Sequence, residues 1–260
     1  MKKPRTYVNY MDDVKLLAAI EKLYHTYERA FATKKLKDIN KNIIDPFKFQ
    51  FDTAFLHGNN PEDTLRNEIF RQNDKSIANA IGLFHQQLIG SIDGFMETPN
   101  LPCDVKKTDD TIFAEIKNKY NTMNVRSAAG VYDELAGLAK SYPNAMCYLV
   151  EIIAKKSTDT VWSITVNQTV QQNKRIHKIS ADQFYALATG QEDALKQLVN
   201  ALPNAIHDFL MHTDLAGNLK KAGSRARAYG ELSDQAEKYG IDVIEQIYRM
   251  AFPDYINFQK

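Results

Sequence analysis

Residues 102–119, PCDVKKTDDTIFAEIKNK, change the period of the chain from helical to strand-like. In the second half of this stretch, apolar residues at every second position alternate with Phe113, Glu115 and Lys117, which is the period of two expected of a β-strand. The Thr-Asp-Asp turn separates this strand from a shorter one that begins at Asp104. The stretch therefore predicts a β-hairpin.

Helical and strand patterns continue on both sides of the hairpin. The predicted helices cover about 12–33, about 60–92 with a break near Asn73 and Asp74, about 127–140, ADQFYALATG, EDALKQLVNAL and about 231–250, and further strands are predicted in MCYLVEIIA, TVWSITV and RIHKIS. This order predicts an α/β protein with a mixed central sheet, flanking helices, and additional N- and C-terminal helices. We expect a single domain over 1–260, with a helical front of about 1–100, a sheet core of about 101–180 and a helical C-terminal part of about 181–260.

The composition and the absence of several motifs indicate which classes of protein are expected and which are excluded. With 260 residues, 44% of them apolar, and a formal net charge of +1, the chain is predicted to be globular. No apolar stretch of signal-peptide or membrane-span type appears, and two cysteines cannot build a disulfide framework, so a cytoplasmic location is expected. The motifs GxxxxGK[ST], GxGxxG, GxSxG and HExxH are absent, which predicts no nucleotide cofactor, serine hydrolysis or zinc proteolysis.

The hairpin also brings chemically useful side chains together. Glu115 and Lys117 are two residues apart and project from one face of their strand, and the turn can return them beside Asp104. Carboxylate oxygens are ligands that Mg²⁺ prefers, and a lysine ammonium can hold a phosphate oxygen or orient an attacking water. The three residues therefore predict hydrolysis of a phosphodiester.

These residues resemble the PD-(D/E)XK nuclease motif. More specifically, EIKNKYNTMN at 115–124, RQNDK…NAIGLFHQ at 71–86 and KISADQFYALATG at 178–190 resemble a group of type II restriction endonucleases that cut GGNCC. The resemblance covers about residues 65–200. It implies a restriction-endonuclease-like fold and Mg²⁺-dependent cleavage of double-stranded DNA that leaves 5′-phosphate ends. It also implies that Asp104 and Glu115 are metal ligands and that Lys117 is the catalytic lysine.

The first carboxylate of the motif has rivals, because Cys103 and not a proline directly precedes Asp104. Asp109 and Asp110 fall in or just after the predicted turn, too close in sequence to Glu115 to pair opposite it, and Asp93 lies farther upstream. Asp104 is the favoured residue.

Residues outside the hairpin supply further candidates. Glu68 and Gln86 lie on the preceding helix and could support the metal site, although Glu68 could equally be a surface residue. Neighbouring His85 is expected to be partly buried and hydrogen-bonded. Candidates for DNA contacts are Lys119, Asn121, Thr122 and Asn124 after the catalytic strand, and Lys220, Lys221, Arg225 and Arg227 in an acid-free stretch that is predicted to be a loop.

A palindromic target has two-fold symmetry and needs both strands cut, so a restriction enzyme of this type is expected to be a homodimer with one site per subunit. Two alternatives remain open from the sequence. One is a repair or recombination nuclease of the same fold, and the other is a non-catalytic DNA-binding module in which the hairpin carboxylates are merely exposed.

Overall fold

The computed structural model describes residues 5–32, 42–166, 168–212 and 227–258, with the side chains of 212 and 227–232 left undescribed. The chain divides into two compact units, Met1–Ala19 with His85–Lys260, and Ile20–Phe84. The helices are α1 (Asp13–Phe31), α2 (Pro46–Leu56), α3 (Pro61–Gly90), α4 (Val125–Ser141), α5 (Ala181–Thr189), α6 (Ala194–His212), α7 (Arg227–Lys238) and α8 (Val243–Ala251). The strands are β1 (Phe95–Glu97), β2 (Val105–Lys107), β3 (Ile112–Lys119), β4 (Met146–Ile153), β5 (Asp159–Val166) and β6 (Thr169–Ser180).

The six strands form one mixed sheet in the order β1-β2-β3-β4-β6-β5. The strands β1, β2 and β3 pair antiparallel, β3 and β6 each pair parallel with β4, and β5 returns antiparallel to β6. A parallel pair needs a crossover, and α4 supplies the one between β3 and β4. The predicted mixed sheet with flanking helices is confirmed.

Helices cover both faces of this sheet. On one face, α4 packs Leu135 and Leu138 against Phe113 of β3, Leu149 of β4 and Trp162 of β5, all buried. On the other face, α5 contacts β4 and β6. An aromatic contact joins them, because the ring of Phe184 lies 5.7 Å from that of Tyr148. The central strands are therefore apolar on both faces, as expected for a sheet between two helical layers.

Five details of the sequence prediction were wrong. Helix α3 runs without a break, and Asn73 is a buried residue within it. Helix α2 was not predicted, although its start is marked by Pro46 at the first helical position and by the Asp45 carboxylate, which caps the free backbone N–H groups. Strand β1 is too short to give a periodic signal, and β6 extends well before RIHKIS. The last predicted helix is two helices, α7 and α8, separated at Gly240, whose φ of 65° is left-handed.

Within the described ranges, the helices include none with the length and apolar character needed to cross a membrane.

Tyr255 connects the C-terminal segment to the end of β4 by hydrogen bonds. Its hydroxyl donates to the carbonyl of Ile152 and accepts from the backbone N–H of Ala154, both at 2.8 Å, and the residue is buried. The neighbouring backbone N–H of Ile256 donates to the buried Asp182 carboxylate at the start of α5. The hydroxyl therefore satisfies two backbone groups at the C-terminal end of β4, a central strand of the sheet.

We expect Tyr255→Phe to lower the free energy of unfolding by about 1–3 kcal/mol, because the change leaves a buried donor and a buried acceptor unpaired. Urea denaturation followed by the fluorescence of Trp162, the single tryptophan, measures the effect. Tyr239→Phe is the matched control, since Tyr239 is exposed and should tolerate the same change. Equal stability of Tyr255→Phe and wild type would contradict this role of the hydroxyl.

Candidate active site

The β2–β3 hairpin places Asp104 opposite Glu115. Val105 of β2 is the register partner of Ala114 in β3, so Asp104 lies one step farther along, opposite Glu115. The Asp104 backbone N–H donates to the Ala114 carbonyl at 3.0 Å, and its carboxylate accepts from the Ile116 backbone N–H at 2.7 Å. Backbone pairing and a side-chain hydrogen bond together fix the first carboxylate beside the second.

The rival aspartates are engaged elsewhere. Asp109 lies in the turn, where its carboxylate contacts Lys107 at 2.8 Å and accepts from Thr111, and these interactions lower its pKa to about 2. Asp110 has a left-handed φ of 59° and pairs with Lys106 at the other side of the turn. Asp93 pairs with Arg5 at 2.7 Å. Of the four aspartates considered, Asp104 is the one that adjoins Glu115.

Glu115 and Lys117 share one face of β3 and contact each other. The Lys117 ammonium donates to Glu115 Oε1 at 2.5 Å, and their side chains are 28% and 14% exposed. Phe113 precedes them on the same face and is buried under α4. The face therefore changes from apolar to polar along β3, and the polar end remains accessible to solvent.

Burial and like charge act on Asp104. Burial raises the pKa of Asp104, the charge of Glu115 raises it further, and the Ile116 N–H and the charge of Lys117 only partly oppose this, so that the pKa reaches about 6. The single ammonium of Lys117 thus compensates the two adjacent carboxylates only in part. Such a pair fits a divalent cation, which would supply that charge through oxygen ligands.

Because folding raises the pKa of Asp104, the stability of the metal-free protein should depend on pH through this residue. The pKa of an aspartate is about 3.9 in an unfolded chain and about 6 here, so the folded state should lose stability as the pH rises from about 4 to about 6. We expect Asp104→Asn in EDTA to be more stable than wild type by about 1–2 kcal/mol at pH 8, with the difference shrinking towards pH 4.

Urea denaturation at a series of pH values in EDTA tests this expectation. Asp133→Asn, on the exposed side of α4, is the matched control. The difference in stability between Asp133→Asn and wild type should not change with pH in this way. A difference between Asp104→Asn and wild type that stays constant from pH 4 to pH 8 would contradict the raised pKa.

The cation would have only a few ligands from this chain. No cluster of three or more histidine, cysteine, aspartate or glutamate side chains in the described residues could hold a metal ion. Asp104 and Glu115 are the candidate carboxylate ligands on the hairpin, and two such ligands would leave coordination positions for water and for phosphate oxygens. Partial coordination of this kind is typical of Mg²⁺ at phosphate-handling sites.

A second acid and lysine pair beside the hairpin was missed by the sequence analysis. Glu151 of β4 is the register partner of Lys117 and lies on the same face of the sheet. It is buried, and its Oε1 lies 3.0 Å from the ammonium of Lys178 in β6. The signal in the sequence was a single charged residue within the apolar strand MCYLVEII. A buried acid in such a strand indicates a specific role.

The predicted supporting residues lie on α3. Glu68 belongs to the unit Ile20–Phe84, where its carboxylate contacts Arg71 at 2.6 Å and Gln72 at 3.0 Å. The hydrogen bond with Arg71 is the main cause that lowers the pKa of Glu68. Gln86 is half-buried. Burial lowers the pKa of His85 to about 4, so its ring is neutral at pH 7. A role for Glu68 and Gln86 at the metal site stays a prediction.

The predicted DNA-contacting residues fall into two groups. Lys119 is the last residue of β3, not a residue after it as predicted, and both Lys119 and Asn121 are exposed. The Thr122 hydroxyl donates to the Lys119 carbonyl at 2.8 Å, and Asn124 caps α4 by accepting from the Ser127 backbone N–H at 2.9 Å. The second group lies outside the described residues, namely Lys220, Lys221, Arg225 and the side chain of Arg227, which begins α7.

Comparison with known proteins gives matches over most of the chain. The family model described as Eco47II restriction endonuclease matches residues 8–211. The type II restriction enzyme Sau96I of Staphylococcus aureus is 36% identical over 263 residues, covering 97% of this chain and 98% of that protein. The type II restriction enzyme Eco47II of Escherichia coli is 32% identical over 213 residues, covering 78% of this chain and 88% of that protein.

These relatives decide between the alternatives that the sequence left open, because they are restriction enzymes and not repair nucleases or non-catalytic DNA-binding modules. Enzymes of this class use a divalent metal cation and act on double-stranded DNA. The chain belongs to the Eco47II restriction endonuclease family and is a type II restriction endonuclease, a site-specific deoxyribonuclease.

Proposed function

We propose that this enzyme hydrolyses DNA with Mg²⁺ held by Asp104 and Glu115, and that Lys117 is its catalytic lysine. The observation that supports this assignment is the convergence of the three side chains on one hairpin, with Asp104 opposite Glu115 and the Lys117 ammonium 2.5 Å from Glu115. Two carboxylates and one ammonium at a solvent-accessible strand end match the needs of a metal ion and a phosphate.

Each residue has a distinct task. The carboxylates of Asp104 and Glu115 hold the cation, and the Ile116 N–H keeps the Asp104 side chain in place. Bound Mg²⁺ neutralises charge on the scissile phosphate and lowers the pKa of water. Lys117 contacts a phosphate oxygen and stabilises the charge that develops there as water attacks. Hydrolysis then leaves a 5′-phosphate and a 3′-hydroxyl.

DNA contacts are proposed for the end of β3 and the segment that follows it. Lys119 and Asn121 are exposed next to the candidate metal site, where an ammonium can bind a phosphate and an amide can contact a base edge. Asn124 has a structural task in addition, because its side-chain oxygen caps α4. Lys220, Lys221, Arg225 and Arg227 are proposed as a second group of DNA contacts, with arginines suited to guanine.

The proposed target is the palindrome GGNCC. This assignment is supported by the resemblance of 115–124 and the two other blocks to enzymes that cut this sequence, and by the 36% identity to Sau96I. Digestion of a plasmid in Mg²⁺, followed by sequencing of the fragment ends, tests target, cut position and end chemistry together. Breaks at GGNCC with 5′-phosphates are expected. Breaks at another fixed sequence would overturn the target, and the absence of cleavage in Mg²⁺ would overturn the proposed metal.

A single-domain subunit acting as a homodimer in the cytoplasm completes the proposal. The two-fold symmetry of the target is its support, since two identical subunits present one active site to each strand. Sedimentation of the protein with a short duplex containing the target should give two chains per duplex. One chain per duplex would contradict the dimer.

A further inference from the structure

Glu151 and Lys178 form a buried charge pair that the proposed reaction does not use. Glu151 is 4% exposed, and its Oε1 lies 3.0 Å from Lys178 Nζ. No described group donates a well-aligned hydrogen bond to this oxygen. A buried carboxylate of this kind is costly unless its acceptor capacity is used. The Glu151 carboxylate therefore has room for a second cationic partner.

Lys117 is positioned to be that partner. It is the register partner of Glu151 across the parallel β3–β4 pair, so the two side chains leave adjacent strands side by side on the same face. Glu115, the present partner of Lys117, lies on that face two residues earlier in β3. Lys117 is thus paired with a carboxylate proposed to bind metal, and its neighbour on the next strand is a carboxylate that is held by Lys178.

A metal ion would change the environment of Lys117. A divalent cation at Asp104 and Glu115 would bind Glu115 oxygens and repel a nearby ammonium. Lys117 would then lose Glu115 as its partner, and Glu151 is the adjacent carboxylate on the same face. Moving to Glu151 would keep the ammonium paired and leave its head group on the polar end of the sheet.

We propose that Glu151 receives the Lys117 ammonium when a divalent cation occupies Asp104 and Glu115. Glu151 is then a positioning residue for the catalytic lysine, a role that rests on the proposed function. The ion pair with Lys178 holds the Glu151 carboxylate in place before the metal arrives. The cation and the Lys117 ammonium compete for Glu115, and Glu151 relieves this competition by accepting the ammonium. Metal affinity is therefore linked to the position of Lys117.

Binding of Mn²⁺ alone to the full chain without DNA tests this link, with the free ion quantified by its EPR signal. We expect Glu151→Gln to bind Mn²⁺ about three- to tenfold more weakly than wild type, as for the loss of one partly buried ion-pair partner. Glu151→Asp should be weakened less, because it keeps the charge. Glu134→Gln, an exposed site on α4, is the matched control and should bind like wild type.

A Lys117→Met background separates positioning from a merely structural effect. Lys117→Met should bind Mn²⁺ at least as tightly as wild type, and adding Glu151→Gln to it should change the affinity less than twofold. The proposal is overturned if Glu151→Gln weakens Mn²⁺ binding equally in the wild-type and Lys117→Met backgrounds, or if it weakens Mn²⁺ binding in neither. The proposed function fails separately, if wild type binds no Mn²⁺ or if Glu115→Gln binds Mn²⁺ as wild type does.

Discussion

Glu115→Gln should lower the single-turnover rate of DNA cleavage about a thousandfold or more at saturating Mg²⁺ and DNA. The amide keeps the size of the side chain but removes the charge of a proposed metal ligand, and with it the charge stabilisation at the phosphate. Lys117→Ala and Asp104→Asn should cause losses of similar size, because residues that act as one unit are not additive. Rapid quenching of a target-containing duplex measures the rate.

DNA binding should respond differently from cleavage. In EDTA, Glu115→Gln should bind the target duplex at least as tightly as wild type, because one negative charge beside the phosphates has been removed. Glu134→Gln makes the same chemical change on an exposed face of α4 and should leave both cleavage and binding unaltered. A single-turnover cleavage rate of Glu115→Gln within tenfold of the wild-type rate would contradict the placement of Glu115 in the active site.

Phe113→Ala should lower the free energy of unfolding by about 3–5 kcal/mol, the second large effect that we expect. Phe113 is fully buried on the sheet face under α4, and its ring centroid lies 4.6 Å from that of Tyr142. Truncation leaves a cavity between β3 and the helix. Urea denaturation followed by Trp162 fluorescence is suited to the measurement, because Trp162 belongs to the same core cluster.

A matched substitution shows whether the effect comes from burial. Phe70 is 62% exposed on α3, so Phe70→Ala removes the same ring without opening a cavity and should change the stability by less than about 0.5 kcal/mol. Comparable losses in the two variants would contradict the assignment of Phe113 to the core. Phe113→Ala should also reduce cleavage, since Phe113 supports the strand that carries Glu115 and Lys117.

The hairpin was predictable from the sequence because its determinants are local. A strand period, a turn and three chemically suited side chains occur within residues 104–117, and antiparallel pairing across a short turn leaves few registers. The structure has this hairpin, with Asp104 opposite Glu115. The mixed sheet followed from the order of helices and strands, and it is confirmed.

The rest depends on pairing between distant segments. Glu151 faces Lys117 only because β4 lies parallel to β3 in one register, and a single sequence does not reveal that register. The contact of Lys178 with Glu151 needs the next strand pair as well. Local signals also failed where they were weak, as in β1 with its three residues and in α2, whose cap at Asp45 is clear only after the helix is seen.

The placement of Asp104, Glu115 and Lys117 on one short hairpin has an evolutionary consequence. The proposed cleavage residues lie in a single contiguous segment, whereas one of the two proposed groups of DNA contacts, Lys220, Lys221, Arg225 and Arg227, lies far from it in the chain. Substitutions in that distant group can thus give relatives with new target preferences while the hairpin is inherited unchanged. The same separation makes the distant group, and not the hairpin, the place to begin when retargeting such an enzyme by design.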